Sequence, residues 1–202
     1  MVITMLEKLE QSKVKVYIDE EYAFLLYQND IKRYKLEEGA VITSKCYDEI
    51  IEDTVYRRAK QKAIAVLKFM GRTEQELRRK LTETGYPKEI IDRTLSYVTE
   101  YGYLNDERYA ASYVRARMNT KSKYVIKTEL LHKGIDKELI NDIFMIEYGD
   151  DDKEDAELIA IRKLIAKKTK FPENLTFDEK QKLMASLYRK GFATSKIKQI
   201  LL

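Results

Sequence analysis

Apolar positions in this chain recur in a pattern that is written three times. Aligned on Gly85, Gly134 and Gly191, the columns eight residues upstream hold Leu77, Ile126 and Leu183, and those four upstream hold Leu81, Leu130 and Leu187. Downstream, an apolar residue follows each glycine (Tyr86, Ile135, Phe192), Ile91, Ile140 and Ile197 fall at plus six, and Leu95, Phe144 and Leu201 at plus ten. Steps of four on either side are helical periods, so each copy predicts helix, left-handed turn, helix. A glycine suits the turn because it takes the left-handed conformation past a helix end without a Cβ clash. Helix starts are marked as well: Thr73 with Glu76 and Thr176 with Glu179 are capping boxes, and Ser122 holds the same place in the middle copy. An amphipathic helix is predicted ahead of each pair, about Thr54 to Met70, Asp106 to Asn119 and Asp152 to Thr169, with Ala59, Ala63, Val66 and Leu67, then Tyr109, Ala110, Tyr113 and Val114, then Ala156, Ile159, Ala160 and Leu164 on the apolar faces.

The fold class expected is therefore mainly α: three-helix repeats at 54–104, 105–149 and 150–202. Helices this short persist only when packed, so the repeats are expected to lean on one another in an elongated, curved array. Residues 1–53 break the pattern. Val14, Val16 and Ile18 alternate with Lys13, Lys15 and Tyr17, an acidic turn follows at Asp19-Glu20-Glu21, and Tyr22 to Leu26 is a second apolar run. This predicts a β-hairpin, then a short helix around Gln28 to Tyr34 stopped at Leu36-Glu-Glu-Gly39, with Val41-Ile42-Thr43 as a third strand. Two strands alone are marginal in water, so this small α/β cap is expected to dock on the first repeat.

Composition fits. Seven Gly and two Pro in 202 residues favour long helices, and no apolar run approaches the roughly 18 residues of a membrane span. Met1 to Leu9, interrupted by Glu7, does not look like a signal peptide, and the single Cys46 excludes an internal disulfide, so a reducing cytoplasm is the expected location. Charge is uneven: residues 1–53 carry 7 Lys and Arg against 12 Asp and Glu, 54–149 carry 19 against 13, and 150–202 carry 12 against 9. A mildly basic body behind an acidic head suits a polyanion or an acidic protein surface as partner, and equally suits ordinary solvated helix faces.

No phosphate loop, HExxH, CxxC or Ser/His/Asp order is present, so an enzyme is not expected. His132, the only histidine, falls opposite Ile126 and Leu130 and should be exposed. Asp150-Asp151-Asp152 lacks the spaced acceptors of a calcium loop and is better explained as a helix start. Among fifteen tyrosines, Tyr101, Tyr103 and Tyr109 are expected to pack at a junction between repeats. Candidate contact residues lie on basic faces. Arg79 points away from the Leu77/Leu81 seam with Arg78 and Lys80 beside it, and Arg115, Arg117, Lys121, Lys123 and Lys127 form a second strip, with Arg72 at a helix start. Such cations meet phosphates or the acidic lining of a protein groove; Glu76 with Lys80 is a possible i,i+4 pair on a merely solvated face.

Three stretches carry a family resemblance: Gly71-Arg-Thr-Glu-Gln-Glu-Leu-Arg-Arg-Lys-Leu81, then Gly85-Tyr86 with Ile90-Ile91-Asp-Arg-Thr-Leu95, and Gly102-Tyr-Leu-Asn-Asp-Glu-Arg-Tyr-Ala110. They resemble the RecX family of bacterial regulators, and Val16-Tyr-Ile-Asp-Glu-Glu-Tyr22-Ala-Phe24 looks like the extension of its Gram-positive members. The third copy departs from the pattern in a longer connection around Phe171-Pro172, and longer relatives add further repeats. The signature itself reads as scaffolding: Gly102 closes a helix, Tyr103 and Leu104 follow it, Asn105 or Asp106 caps the next helix, and Tyr109 and Ala110 sit on its buried face. The resemblance implies a monomer without cofactor that lies in the groove of a RecA filament on DNA and depresses ATP hydrolysis, strand exchange and co-protease activity. The alternative is a sequence-nonspecific helical binder of single- or double-stranded DNA.

Overall fold

The computed structural model describes residues 1–149 and 154–202, so the Asp150-Asp151-Asp152 run and the expected start of the third repeat's first helix lie outside the described residues. The chain forms two units, Met1–Asn105 and Asp106–Leu202.

The first unit opens with an antiparallel sheet in the order β1 (Ile3–Lys8), β2 (Lys13–Ile18), β3 (Glu21–Tyr27). The hairpin is where alternation places it, with Val14, Val16, Ile18, Phe24 and Leu26 turned into one core. The β1–β2 connection spans four residues and the β2–β3 connection two, and the central residues of both turns take positive φ, Gln11 and Ser12, then Asp19 and Glu20, the twist that joins antiparallel strands most readily. The third strand is Ile3–Lys8, not Val41–Thr43. Val41 makes one isolated bridge to Val2 and is 75% exposed. β1 hides from pattern analysis because only Ile3 is buried and a bulge between Ile3 and Met5 breaks its alternation. Helix α1 (Gln28–Tyr34) forms as expected but stops at Lys35, left-handed at φ 50°, rather than at Gly39.

A second difference concerns the start of the first repeat. Its leading helix begins ten residues, or about 15 Å by helical rise, earlier than Thr54: α2 (Ser44–Ile50), capped by Thr43, passes through a π-helical segment (Ile51–Tyr56) into α3 (Arg57–Phe69). Buried apolar positions run Ile50, Val55, Ala59, Ala63, Leu67. The first step is five instead of four, so the wider π turn shifts the phase and conceals the earlier half from a 3.6-residue template. The boundary between residues 53 and 54 accordingly falls inside a helix, and Ile50, Val55, Ala59 and Ile90 share a core with the sheet. Helices α4 (Glu74–Thr84) and α5 (Lys88–Glu100) close the repeat over Leu77, Leu81, Ile91, Leu95 and Val98. The cap is tied on by Tyr22, whose hydroxyl donates to the Gly85 carbonyl, and burial pushes that hydroxyl up to about 12.

The second unit holds α6 (Asp106–Arg117), α7 (Lys123–His132) and α8 (Lys137–Tyr148), then α9 (Ala156–Ala166), a 3-10 turn (Pro172–Asn174), α10 (Phe177–Arg189) and α11 (Thr194–Leu201). Their cores are Ala110, Val114, Ile126, Leu130 and Ile140 for the middle repeat and Ala160, Ile161, Ile165, Leu187 and Ile197 for the last; each fully buried Leu or Ile contributes about 1.5–3 kcal/mol. On α9 the buried line passes through Ile161 and Ile165, while the expected Ile159 and Leu164 are only half-buried.

The glycine turns agree across copies. Gly85, Gly134 and Gly191 have φ of 94°, 80° and 80°. In each, the amide after the glycine reaches back to the helix: Tyr86 to Leu81, Ile135 to Leu130 and Phe192 to Leu187, at 3.3, 3.1 and 3.4 Å. That 6→1 bond is the Schellman cap. Gly102, φ 71°, ends α5 in the same manner, with Tyr103 N–H donating to Val98.

Candidate partner surfaces

The signature residues divide between buried and exposed positions. Leu104 and Ala110 are buried and Tyr109 half-buried, Asn105 immediately precedes α6, and Asp106 opens it. Tyr101 and Tyr103 differ from expectation: they are 63% and 42% exposed, and Tyr101 leans on Tyr97 at 4.5 Å. His132 is exposed. Among the described residues no group of His, Cys, Asp and Glu is arranged to hold a metal, and no helix is long and apolar enough to cross a membrane.

The cations divide by what holds them. Arg78 is not a free member of a positive trio: it bonds Asp92 on α5 and Glu74 one turn back on α4, clamping the two helices. Arg79, beside it, is 72% exposed and only 3.9 Å from Glu83, and Lys80 approaches the same carboxylate at 3.6 Å. The expected Glu76–Lys80 pair gives way to this arrangement because Glu76 turns back to accept from the Thr73 N–H and complete the capping box.

In the second unit the five cations of the expected strip are each held by a different neighbour. Arg117 lies 3.6 Å over the Tyr113 ring and Lys121 pairs with Glu129, which also accepts from Tyr113 at 2.9 Å. Burial raises the Glu129 carboxyl, but the Lys121 and Tyr113 hydrogen bonds outweigh it and hold the group below its ordinary value. Lys127 bonds Asn141 on α8 at 2.6 Å. Arg115 stands 3.6 Å from Glu147, and Lys123 lies 4.1 Å over the Tyr148 ring. Spacing along one helix shows which side chains emerge together; it does not show that acceptors on α8 and α6 intercept them.

Sequence reasoning missed the joint between the middle and last repeats. Ser122 caps α7 through Val125 N–H and donates to the Lys190 carbonyl at 2.7 Å. Buried Glu157 accepts from Lys123 N–H at 2.9 Å and from Lys196 at 2.8 Å, and Lys196 also reaches Asp155 at 2.6 Å. An acidic residue two places into a helix gave no signal of its own; only the fold brings Lys196 to it.

The class defined by this architecture is a tandem three-helix-repeat protein whose described surface carries exposed charged and apolar residues. Family models for the first, second and third three-helix domains of RecX match residues 59–97, 105–142 and 155–201. The regulatory protein RecX of Caldanaerobacter subterraneus subsp. tengcongensis is 34% identical over 203 residues, covering 100% of this chain and 98% of its own. That of Clostridium acetobutylicum is 31% identical over 198 residues, covering 96% and 91%. A crystal structure of a regulatory protein RecX superimposes with TM-score 0.63 at 25% identity over 99% of this chain and 98% of the other; RecX from Lactobacillus salivarius gives 0.62 at 26% over 72% and 94%. The chain belongs to the RecX family of regulatory proteins.

Proposed function

We propose that the chain is a non-enzymatic, monomeric regulator that binds RecA filaments on single-stranded DNA in the cytoplasm. There it inhibits RecA's recombinase, ATPase and co-protease activities, and so moderates homologous recombination, DNA repair and the SOS response. The observation that carries this is the match of all three RecX helical domains in order along one chain. Repetition supports it physically: several modest patches on linked repeats add through effective concentration when the partner is itself a repeating polymer. Any nucleotide belongs to the partner, so no cofactor is needed. Cations left exposed, Arg79 and Arg115 among them, are available for opposite-charge steering. The test is RecA's ATP turnover on single-stranded DNA with the protein added at stoichiometric dose. A fall in turnover is expected, and unchanged hydrolysis would refute the proposal.

A further inference from the structure

The first repeat carries an open groove at a place where the second repeat is filled. Counting from the helix caps, Arg72 and Lys121 each stand one residue before Thr73 and Ser122, and Lys80 and Glu129 each stand seven after. Counting from the buried small residues Ala63 and Val114, Lys62 corresponds to Tyr113 and Val66 to Arg117. In the second repeat these positions bond one another: Tyr113 and Lys121 both hold Glu129, and Arg117 covers the Tyr113 ring. In the first repeat the tyrosine and the carboxylate are both replaced by lysine, so the Tyr113–Glu129–Lys121 set has no counterpart between α3 and α4. A groove of about 460 Å³ lies there, lined on its apolar side by Ala65, Val66 and Phe69.

Three properties define the occupant. Phe69 is 86% exposed and Met70 after it 52% exposed, an apolar face of the kind that marks a contact site when charge rims it. Lys62 and Arg72 have no hydrogen bond or ion pair among the described residues, and Arg79 and Lys80 share one loosely held carboxylate. The rim thus carries four cations against Glu76 and Glu83, an excess of two, and Glu76 is committed to its cap. A continuous phosphate chain would run against both carboxylates, whereas a peptide can place acids opposite the cations and an apolar side chain between α3 and α4. We infer that this groove docks an acidic amphipathic segment of a partner protein, seated by an apolar anchor against Val66 and Phe69 and held by Lys62 and Arg72. The inference deepens the proposed function, on which it rests for the partner's identity.

The full-length protein is titrated by fluorescence anisotropy with a labelled acidic peptide, Glu and Asp with Leu and Phe at helical spacing, and separately with labelled oligo-dT. Saturable peptide binding is expected, weakened about tenfold or more by Phe69→Ser and by Arg72→Glu, and unaltered by Lys163→Glu on α9. Thermal unfolding of each variant checks folding, which an 86% exposed side chain should not disturb. Absent peptide binding, or variants that bind as the wild type does, would overturn the inference, as would oligo-dT binding that is tighter than peptide and lost with Phe69. Titration against RecA filaments separates the two proposals: a wild-type protein that binds peptide but not filaments refutes the RecA partnership and leaves the groove standing.

Discussion

Substituting alanine at Gly191 should cost far more than the same change at Gly102, although both glycines end a helix in the left-handed region, with φ of 80° and 71°. The backbone penalty is shared. An L-residue there costs about 1–2 kcal/mol, and the stiffer unfolded chain returns about 0.4–1 kcal/mol, so each variant loses roughly 1 kcal/mol from this source. Surroundings separate them. A Cβ on Gly102 meets nothing within 4 Å, whereas on Gly191 it would stand 2.9 Å from both Ser122 Oγ and Tyr124 Cδ1. Ser122 cannot yield without releasing Val125 N–H or the Lys190 carbonyl, and such overpacking costs a further 1–3 kcal/mol or so. Gly191→Ala should therefore lose about 2–4 kcal/mol against about 1 for Gly102→Ala. Because the chain has two units, urea unfolding is paired with amide hydrogen exchange resolved by helix. Gly191→Ala is expected to lower protection in α7, α10 and α11 and leave α4 and α5 unaltered. Equal losses at the two glycines to within about 0.5 kcal/mol, or unaltered protection around Ser122, would refute the contact.

Other outcomes follow from the ion pairs. Asp30 is buried, which raises its carboxyl, but bonds from Arg58 and the Tyr27 N–H hold it below the ordinary value. Its contribution is present above the unfolded value of about 4 and fades as pH falls through the lower folded value; Asp30→Asn should cost about 1–3 kcal/mol at pH 7, a difference from wild type that shrinks in acid titration of the unfolding midpoint. Arg78→Glu should destabilise the first unit by about 1 kcal/mol by opening the α4–α5 clamp, while Arg79→Glu should leave the denaturation midpoint unmoved; equal effects would contradict the assignment of Arg78 to the scaffold. Glu157→Gln should cost about 1–3 kcal/mol by removing one of the two carboxylates that hold Lys196 and the charged acceptor of the Lys123 N–H, read as lost amide protection in α9 and α11.

What the sequence revealed depended on how local its cause was. The three glycine turns, the Thr73 and Thr176 boxes and the Leu81, Leu130 and Leu187 columns are settled within one helix hairpin, and they stand as the pattern predicts. Ile3–Lys8 was illegible because an edge strand with one buried residue leaves almost no period, and Ser44–Tyr56 because a π turn shifts the phase. Side-chain commitments were harder still. Arg78 and Arg79 are neighbours in sequence, yet only one faces Asp92 across a helix pair. Lys62 and Arg72 stay available because the acceptor present at Glu129 in the next repeat is replaced by Lys80.

The most direct test of the central claim compares two equilibria under one buffer: association of the labelled protein with single-stranded DNA coated by RecA, and with the same DNA bare. Saturation on the coated strand at concentrations that give no signal on the bare strand is the predicted result. Equal or tighter association with bare DNA, falling steeply as salt is added, would contradict it and identify a nucleic-acid binder instead.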